Sequence, residues 1–295
     1  MRVNSWWVLS VGHILSVFLL AVALSSSTPC DAQEKPYFVL YSQDMEEPGN
    51  LEIESMNVVG GPEPGNSFIG SNLELEYGVR AWWTSELYLD GQSTRGDSTI
   101  FTGFRWENRF RPLMREHWIN PVLYVEYENT SADKTLREIV GHDGKDDFLE
   151  SNASARAGVE REMEVKLILG SNVHGWNVSE NFIAEKNLSN APWEFGYAVG
   201  ASRALKMAAS AQPCTFCREK FQAGVELYGG LGDWRRFGMH LTSPYLGPSI
   251  NWEAPGGMTL SFGPHFGLNN YSIPVLYRFG VSYEIQQLFS HLRLH

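Results

Sequence analysis

Charged residues alternate with apolar residues along much of this chain. The charged residues are the side chains best able to do chemistry. In LELEYGVR and RWENRFR, glutamate or arginine occupies nearly every second position, with leucine, tyrosine, tryptophan or phenylalanine between. Side chains two positions apart share one face of a β-strand. The chemistry that such a face offers is electrostatic: it can order water, ions or small polar solutes, or its charges can pair with one another.

The elements that must position these residues are β-strands. The alternation recurs in twelve segments, of which those near 51–59 and 176–185 are less regular, and an even number of strands returns both chain ends to one side. Short connections at 81–84, 112–118, 171–175 and 254–257 alternate with long ones at 60–71, 131–154 and 232–243. The long connection 207–219 is an exception. The pattern predicts an all-β protein, a closed antiparallel up-and-down transmembrane β-barrel of about twelve strands.

The same alternation is also expected of a soluble barrel with an apolar pocket, so other features must decide which face meets lipid. Seven glycines lie on the polar face, which suits a packed lumen: Gly196, Gly200, Gly224, Gly230, Gly263, Gly267 and Gly280. Aromatic residues near strand ends suit the girdles of a membrane barrel: Trp82, Trp118, Trp176, Trp193, Tyr245 and Trp252. Twelve strands also exceed the number usual in soluble ligand-binding barrels. We therefore predict that the apolar face meets lipid.

The polar face then lines the lumen. The predicted lumen-lining residues are Glu74, Glu76, Arg80, Glu86, Asp90, Arg105, Glu107, Arg109, Arg111, Glu126, Glu128, Glu162, Glu164, Lys166, Glu194, Glu226, His265 and Arg278. One acid breaks the pattern, because parity puts Glu180 on the lipid face of the seventh strand, where charge is costly. A β-bulge there would return it to the lumen.

Composition and the chain ends set further limits. Residues 1–32 combine Arg2 with an apolar run from Ile14 to Leu24, too short to span a bilayer, and predict a cleaved secretory signal peptide. We expect 33–49 to be an N-terminal periplasmic segment, 50–285 the barrel and 286–295 a C-terminal tail. With 34 Asp+Glu against 23 Lys+Arg, the net charge of -11 argues against nucleic acid as a partner.

Three smaller motifs could carry chemistry. Cys214 and Cys217 are close enough in an oxidising compartment to predict a local disulfide, and no cofactor or metal site is predicted from them. GHDGKDD, 141–147, offers oxygen ligands for Ca²⁺ but lacks the spacing of a calcium loop, so we interpret it as a solvated acidic loop. His265, with Ser261 on the same face, is expected to be a hydrogen-bonded lumen histidine.

Segments such as MEVKLILGSNVHGWNVSENFIAEKN and WEFGYAVGASRAL resemble the uncharacterised outer-membrane β-barrel proteins of Gram-negative bacteria. The resemblance covers nearly the whole mature chain as a pattern. It implies a porin-like, transport-like barrel that is secreted to the periplasm, inserted by the barrel-assembly machinery and surrounded by outer-membrane lipid. It departs at the C-terminus, where QQLFSHLRLH follows the last strand.

The functional prediction is a narrow passive channel for small hydrophilic solutes or ions through a charged lumen. The alternative is a non-conducting structural or surface-binding barrel, in which arginines and glutamates satisfy one another and long loops are presented outside. A barrel lipase or lipid A deacylase that uses His265 is a third possibility. The serine-bearing motif of those enzymes is missing, since Gly267 stands at its place, and their catalytic residues face lipid; we therefore predict no enzyme activity.

Overall fold

The computed structural model describes residues 35–131, 133–189, 191–206 and 214–289. The predicted signal peptide and the end of the predicted tail lie outside these residues. The chain forms twelve β-strands: β1 Leu51–Gly60, β2 Phe68–Arg80, β3 Trp83–Thr94, β4 Thr99–Phe110, β5 Asn120–Thr130, β6 Glu160–Val173, β7 Trp176–Asn187, β8 Trp193–Ala204, β9 Phe221–Asp233, β10 Tyr245–Ala254, β11 Met258–Gly267 and β12 Val275–Ile285.

Each strand pairs antiparallel with its neighbours in sequence, and β12 pairs with β1 to close the barrel. The predicted fold, a closed antiparallel barrel of twelve strands, is confirmed. Two short helices, α1 Lys145–Leu149 and α2 Asn152–Ala157, lie in the β5–β6 connection, and a 3-10 helix spans Arg218–Lys220. Within the described part of the chain, no helix is long and apolar enough to cross a membrane.

The two faces of the wall separate by chemistry as the alternation requires. Large apolar side chains such as Leu73, Trp106 and Phe262 are exposed on the outside, whereas glutamates at alternate positions are buried inside. One aromatic prediction is wrong: Tyr245 is fully buried in the lumen, stacked on Tyr228 at 5.5 Å, because Leu246 takes the outward position of that strand.

The connections define two rims. The terminal rim carries the start of β1 and the end of β12 together with the connecting residues 81–82, 111–119, 174–175, 205–206, 214–220 and 255–257. The loop rim carries 61–67, 95–98, 131–159, 188–192, 234–244 and 268–274. At the terminal rim, Cys214 and Cys217 are joined by a disulfide, and Phe216 between them stacks on Trp252 at 4.7 Å.

Two charged residues differ in position from the sequence-based expectation. Arg80, predicted to line the lumen, is exposed at the β2–β3 turn because the register shifts between Gly78 and Arg80. Glu180 stays on the outer face between Val178 and Phe182, since β6, β7 and β8 pair without any register shift around it. The bulge considered for Glu180 is therefore not found.

Two segments of the chain enter the barrel. Residues 36–45, which we call the N-terminal segment, are part of the expected periplasmic segment 33–49. They run inside the wall from the terminal rim. Residues 133–149 of the β5–β6 connection, which we call the inner loop, fold inward from the loop rim. Phe38, Val39 and Leu40 of the first segment join Ile139 and Phe148 of the second in one buried apolar cluster. The lumen is filled by these segments.

Candidate functional site

The N-terminal segment is attached to the wall by polar side chains. The carboxylate of Glu226 accepts three consecutive backbone N–H groups, from Phe38 at 2.9 Å and from Val39 and Leu40 at 3.0 Å each. Asn181 accepts from the Tyr41 N–H at 2.7 Å and donates to its carbonyl at 2.9 Å. A ladder of wall side chains thus satisfies backbone groups that would otherwise need water.

The inner loop is held by charges as well as by apolar packing. Lys134 donates from its backbone to Gln92 at 3.0 Å, and Arg278 donates to the Leu136 carbonyl at 2.6 Å. Arg137 stacks over the Tyr41 ring at 4.8 Å, so the loop and the N-terminal segment contact each other in the lumen. Glu138 pairs with Lys166 of the wall at 2.9 Å.

Lumen glycines make room for both segments. A Cβ at Gly196 would lie 2.8 Å from the Ile139 carbonyl of the inner loop, and one at Gly224 would lie 3.1 Å from Pro36 of the N-terminal segment. At Gly196 the distance leaves no room for a side chain, so the inner loop would have to move; at Gly224 the contact is tight, and the N-terminal segment would have to give by a few tenths of an ångström. The glycines on the polar face therefore fit an occupied lumen.

Ion pairs fill the wall side of the lumen. Arg109 bonds Glu86 at 2.6 Å and also Glu76, and Arg105 bonds Asp90 with two nitrogens at 2.9 and 3.2 Å. These bidentate and shared contacts are the strong form of charged hydrogen bond. The wall residues brought into these networks are Glu74, Glu76, Glu86, Asp90, Arg105, Glu107, Arg109, Glu126, Glu164 and Lys166.

Other members of the predicted set lie apart. Arg111 donates to the Ala81 carbonyl at the terminal rim at 2.9 Å, and Glu194 is half-buried near the loop rim. Glu128 and Glu162 are half-buried on β5 and β6. Glu226, His265 and Arg278 line the opposite wall, where Glu226 and Arg278 hold the two inner segments.

His265 is fully buried on the lumen side. Its Nδ1 lies 2.9 Å from the Tyr228 hydroxyl and its Nε2 lies 3.4 Å from Glu226 Oε1, while Phe38 packs against its ring edge at 5.6 Å. These partners describe a histidine locked between the wall and the N-terminal segment. Its position on the lumen side separates it from the lipid face.

The strand register aligns acids into a continuous line. On ten consecutive strands, each acid is directly opposite the next: Glu284, Glu52, Glu76, Glu86, Glu107, Glu126, Glu164, Glu185, Glu194 and Asp233. We call this row the carboxylate line. It begins near the end of β12 at the terminal rim and finishes at the end of β9 at the loop rim. Like charges directly opposite one another destabilise a sheet, so the line needs compensating cations.

The pKa values of buried carboxyl groups outside the strands are shifted by burial and by nearby charges of the wall and the inner loop. Burial, followed by the charge of Glu284, raises the pKa of Glu46 to about 7. Burial and then the Asp90 charge raise the pKa of Asp133 to about 6. Burial alone would raise the pKa of Glu138, but Lys166 and Arg137 hold it below its usual value. Neighbouring carboxylates thus add to the effect of burial in raising the pKa of Glu46 and Asp133, whereas contact with a lysine and an arginine reverses that effect at Glu138.

Three groups of carboxylates come close enough to share a cation, each with oxygens within 4.8 Å of one another. They are Glu74, Glu76 and Glu86; Glu126, Glu138 and Glu164; and Glu128, Glu164 and Glu185. Arg109 contacts the first group and Lys166 the second. A cavity of about 480 Å³ adjoins the first group at the terminal rim and is lined by polar residues that include Glu46, Glu52 and Arg109.

Sequence reasoning missed the residues that fill the lumen. Tyr41, Arg137 and Glu138 are all buried in its centre and contact wall charges. One signal was available for the first segment, because the apolar run Phe38 to Tyr41 follows the predicted leader and has no place in a solvated periplasmic tail. The inner loop gave no such signal, because its mixture of polar and apolar residues resembles that of an ordinary polar connection.

Two solved structures of similar shape are a porin and an outer-membrane channel. The KdgM porin superposes with a TM-score of 0.50 at 8% identity, covering 79% of this chain and 98% of the porin. An outer-membrane channel from Pseudomonas putida F1 superposes with a TM-score of 0.50 at 11% identity, covering 88% of this chain and all of that one. The fold is that of an outer-membrane β-barrel. No family model and no curated protein matches the sequence.

Proposed function

We propose that this outer-membrane barrel is a channel for small hydrophilic solutes or ions that is closed by its own N-terminal segment and inner loop. The observation that carries the proposal is the attachment of the N-terminal segment. Glu226 and Asn181 hold it by side-chain hydrogen bonds, which water can replace when the segment leaves. The hydrogen-bonding side chains exposed in that way would line a hydrophilic path.

The surrounding wall supports the same proposal. Around the N-terminal segment it presents Asn177, Ser179, Ser202 and Ser249, in addition to Glu226, and all of them are buried. When the N-terminal segment leaves, water could hydrogen-bond to these polar side chains. The cavity at the terminal rim is lined in part by Tyr37 and Leu40 of the segment. Opening then needs movement of the two inner segments and leaves the barrel wall intact.

The test is single-channel conductance of refolded protein in planar bilayers. We expect rare discrete openings from the natural sequence and more frequent ones from Glu226→Gln, because an amide is a weaker acceptor for three N–H groups than a carboxylate. Removal of 36–45 together with replacement of 133–150 by a short Gly-Ser linker should give steady conductance. Glu180→Gln, on the outer face, is the matched control and should behave as the natural sequence does.

Silence of both the natural protein and Glu226→Gln, over a range of voltages and salts, would refute the channel proposal even if the trimmed barrel conducts. The trimmed barrel reports only on the size of the bore. Openings equal in frequency for Glu226→Gln and the control would show that the segment is not the closing element.

A second candidate function rests on the connection 234–244. Trp234, Phe237 and Met239 are each more than three-fifths exposed beyond the loop rim, an unusual density of apolar surface for a solvated loop. We propose, as the alternative, a non-conducting barrel that binds a partner through this connection. A photo-crosslinking residue at position 237 should then capture a macromolecule on intact cells, whereas one at Ser98 on the same rim should not.

A further inference from the structure

We propose that Glu128, Glu164 and Glu185 form a binding site for a divalent hard cation, with Ca²⁺ as the best fit. The site lies on three adjacent strands, β5, β6 and β7, in the half of the lumen toward the loop rim. The proposal goes beyond conduction and does not rest on it, because a cation can bind whether or not the inner segments ever move.

The geometry of the three carboxylates suits a large oxygen-seeking ion. Their oxygens lie within 4.8 Å of one another. Ca²⁺ binds oxygen at about 2.3–2.6 Å in flexible geometry, so oxygens on opposite sides of the ion are about 5 Å apart, whereas Mg²⁺ demands about 2.0–2.1 Å and a stricter octahedron. Ca²⁺ therefore fits these side chains with little rearrangement. Oxygen-only ligands also exclude the softer metals.

In the part of the chain that the structure describes, buried oxygens without hydrogen-bond partners lie within the site, on Glu164, and next to it, on Glu126. Glu126, next along the lumen face of β5 from Glu128, is fully buried, and among the described residues neither of its carboxylate oxygens has a hydrogen-bond partner. The nearest Arg105 nitrogen is 3.8 Å away. Glu164 Oε2 is likewise buried and without a hydrogen-bond partner in the described chain. Burying an ionised acceptor without a partner is costly. A bound cation would offset that cost for these oxygens.

The local charge balance is negative. The cluster contains five carboxylates and has three bases near it: the acids are Glu126, Glu128, Glu138, Glu164 and Glu185, and the bases are Lys166 and Arg105, which pair with them, and Arg137, which is next to Glu138 in the inner loop. Arg105 is also committed to Asp90 by two hydrogen bonds. Lys166 lies 2.9 Å from both Glu138 and Glu164, which leaves the Glu128 and Glu185 side of the cluster for another cation.

Position within the carboxylate line explains why the site falls here. Glu164 and Glu185 are directly opposite neighbours in that line, and Glu128 is one diagonal step from Glu164. Arginines neutralise the part of the line toward the terminal rim, through Arg109 and Arg137. Glu128 and Glu185 are half-buried residues near the ends of their strands at the loop rim.

The experiment is calorimetric titration of Ca²⁺ into the refolded full-length barrel in a nonionic detergent free of lipopolysaccharide, with thermal unfolding measured in parallel. We expect saturable binding of one Ca²⁺ per barrel and a rise in Tm with Ca²⁺ that NaCl of equal ionic strength does not give. Glu128→Gln/Glu185→Gln should bind Ca²⁺ at least about tenfold more weakly and lose the Tm rise. We expect this double variant to fold, because the two substitutions remove like-charge repulsion and keep the size of the side chains.

The matched control is Glu180→Gln, which removes an acid from the outer face of the same strand as Glu185 and should bind as the natural protein does. Equal Ca²⁺ affinity in the double variant would overturn the proposal, as would no saturable binding at millimolar Ca²⁺. Shared protons would then balance the cluster instead. Because binding is measured on the closed barrel, its failure would leave the conductance test unaffected, and a silent channel would leave this site standing.

Discussion

At the scale of single residues, Lys166 is the most consequential base in the lumen. Its Nζ contacts Glu138 of the inner loop and Glu164 of the wall, and it lies 4.0 Å from the Tyr124 ring centre. Lys166→Met leaves these buried acids uncompensated, so we expect the barrel to lose about 3–5 kcal/mol of stability. Equilibrium unfolding in urea, with the protein in lipid bilayers, measures the loss.

Lys220→Met provides the comparison for that change. Lys220 pairs with Glu253 at 2.6 Å at the terminal rim, where both side chains are partly exposed, so its removal should cost no more than about 1 kcal/mol. Equal losses for the two variants would mean that the buried acids near Lys166 are neutralised by some other means.

Glu46 directly follows the N-terminal segment and makes the docking of that segment in the lumen depend on pH. The docked segment holds the pKa of Glu46 at about 7, through burial and the nearby Glu284, against a usual value of 4.5. A carboxyl whose pKa is higher when docked favours docking in its protonated form. Docking is therefore at full strength below about pH 4.5 and weakens as the pH rises toward 7.

The measurement compares labelling of a Val39→Cys thiol with and without Glu46→Gln, since Val39 is buried when the segment is docked. At pH 4.5 the two barrels should label at similar rates. At pH 8 the Glu46→Gln barrel should label more slowly, by about tenfold or more. Comparing rates at one pH cancels the intrinsic reactivity of the thiol, and identical rates at both pH values would contradict the prediction.

At the scale of elements, the inner loop depends on a gap in the wall. Gly196 on β8 faces the Ile139 carbonyl at a distance that leaves no room for a side chain. Gly196→Val should push the loop outward and increase protease cleavage within 133–149 at least about tenfold, while the strands stay paired. Gly158→Val, at the end of the same connection where nothing lies near a Cβ, should leave cleavage unchanged. Unchanged cleavage in Gly196→Val would show that the loop does not need this gap.

Elements also mark the limit of what the sequence predicts. Strand parity predicted the twelve strands and the face that most of their side chains take, because a period of two is local. The N-terminal segment was not predicted to enter the lumen, since its hydrogen bonds run to Glu226 and Asn181, about 140 to 190 residues away in the chain. Arg80 was misplaced because a register shift inverts parity after the shift.

At the scale of the whole molecule, the carboxylate line is a property of register. Nine of these acids lie in segments predicted to be strands and Asp233 lies in the predicted connection 232–243, but which acids stand opposite one another depends on how ten strands are staggered. A one-residue slip at any pair would break the row and turn a strand's charges toward lipid. The closed barrel therefore fixes the electrostatics of the candidate site, and the residue types alone do not.

Glu180 is a charged residue on the outer surface, where contact with lipid is unfavourable. Glu180 is exposed between Val178 and Phe182, with Leu169 and Val199 opposite it on the neighbouring strands. A charged side chain on the lipid face costs up to a few kcal/mol at the midplane, and acids cost less than bases. Glu180→Leu should thus stabilise the barrel in bilayers by about 1–2 kcal/mol, measured by urea unfolding, with Leu169→Ala as a control that should destabilise it. A loss of stability in Glu180→Leu would instead mean that Glu180 is satisfied by a neighbour on the outer surface, such as a second copy of the barrel.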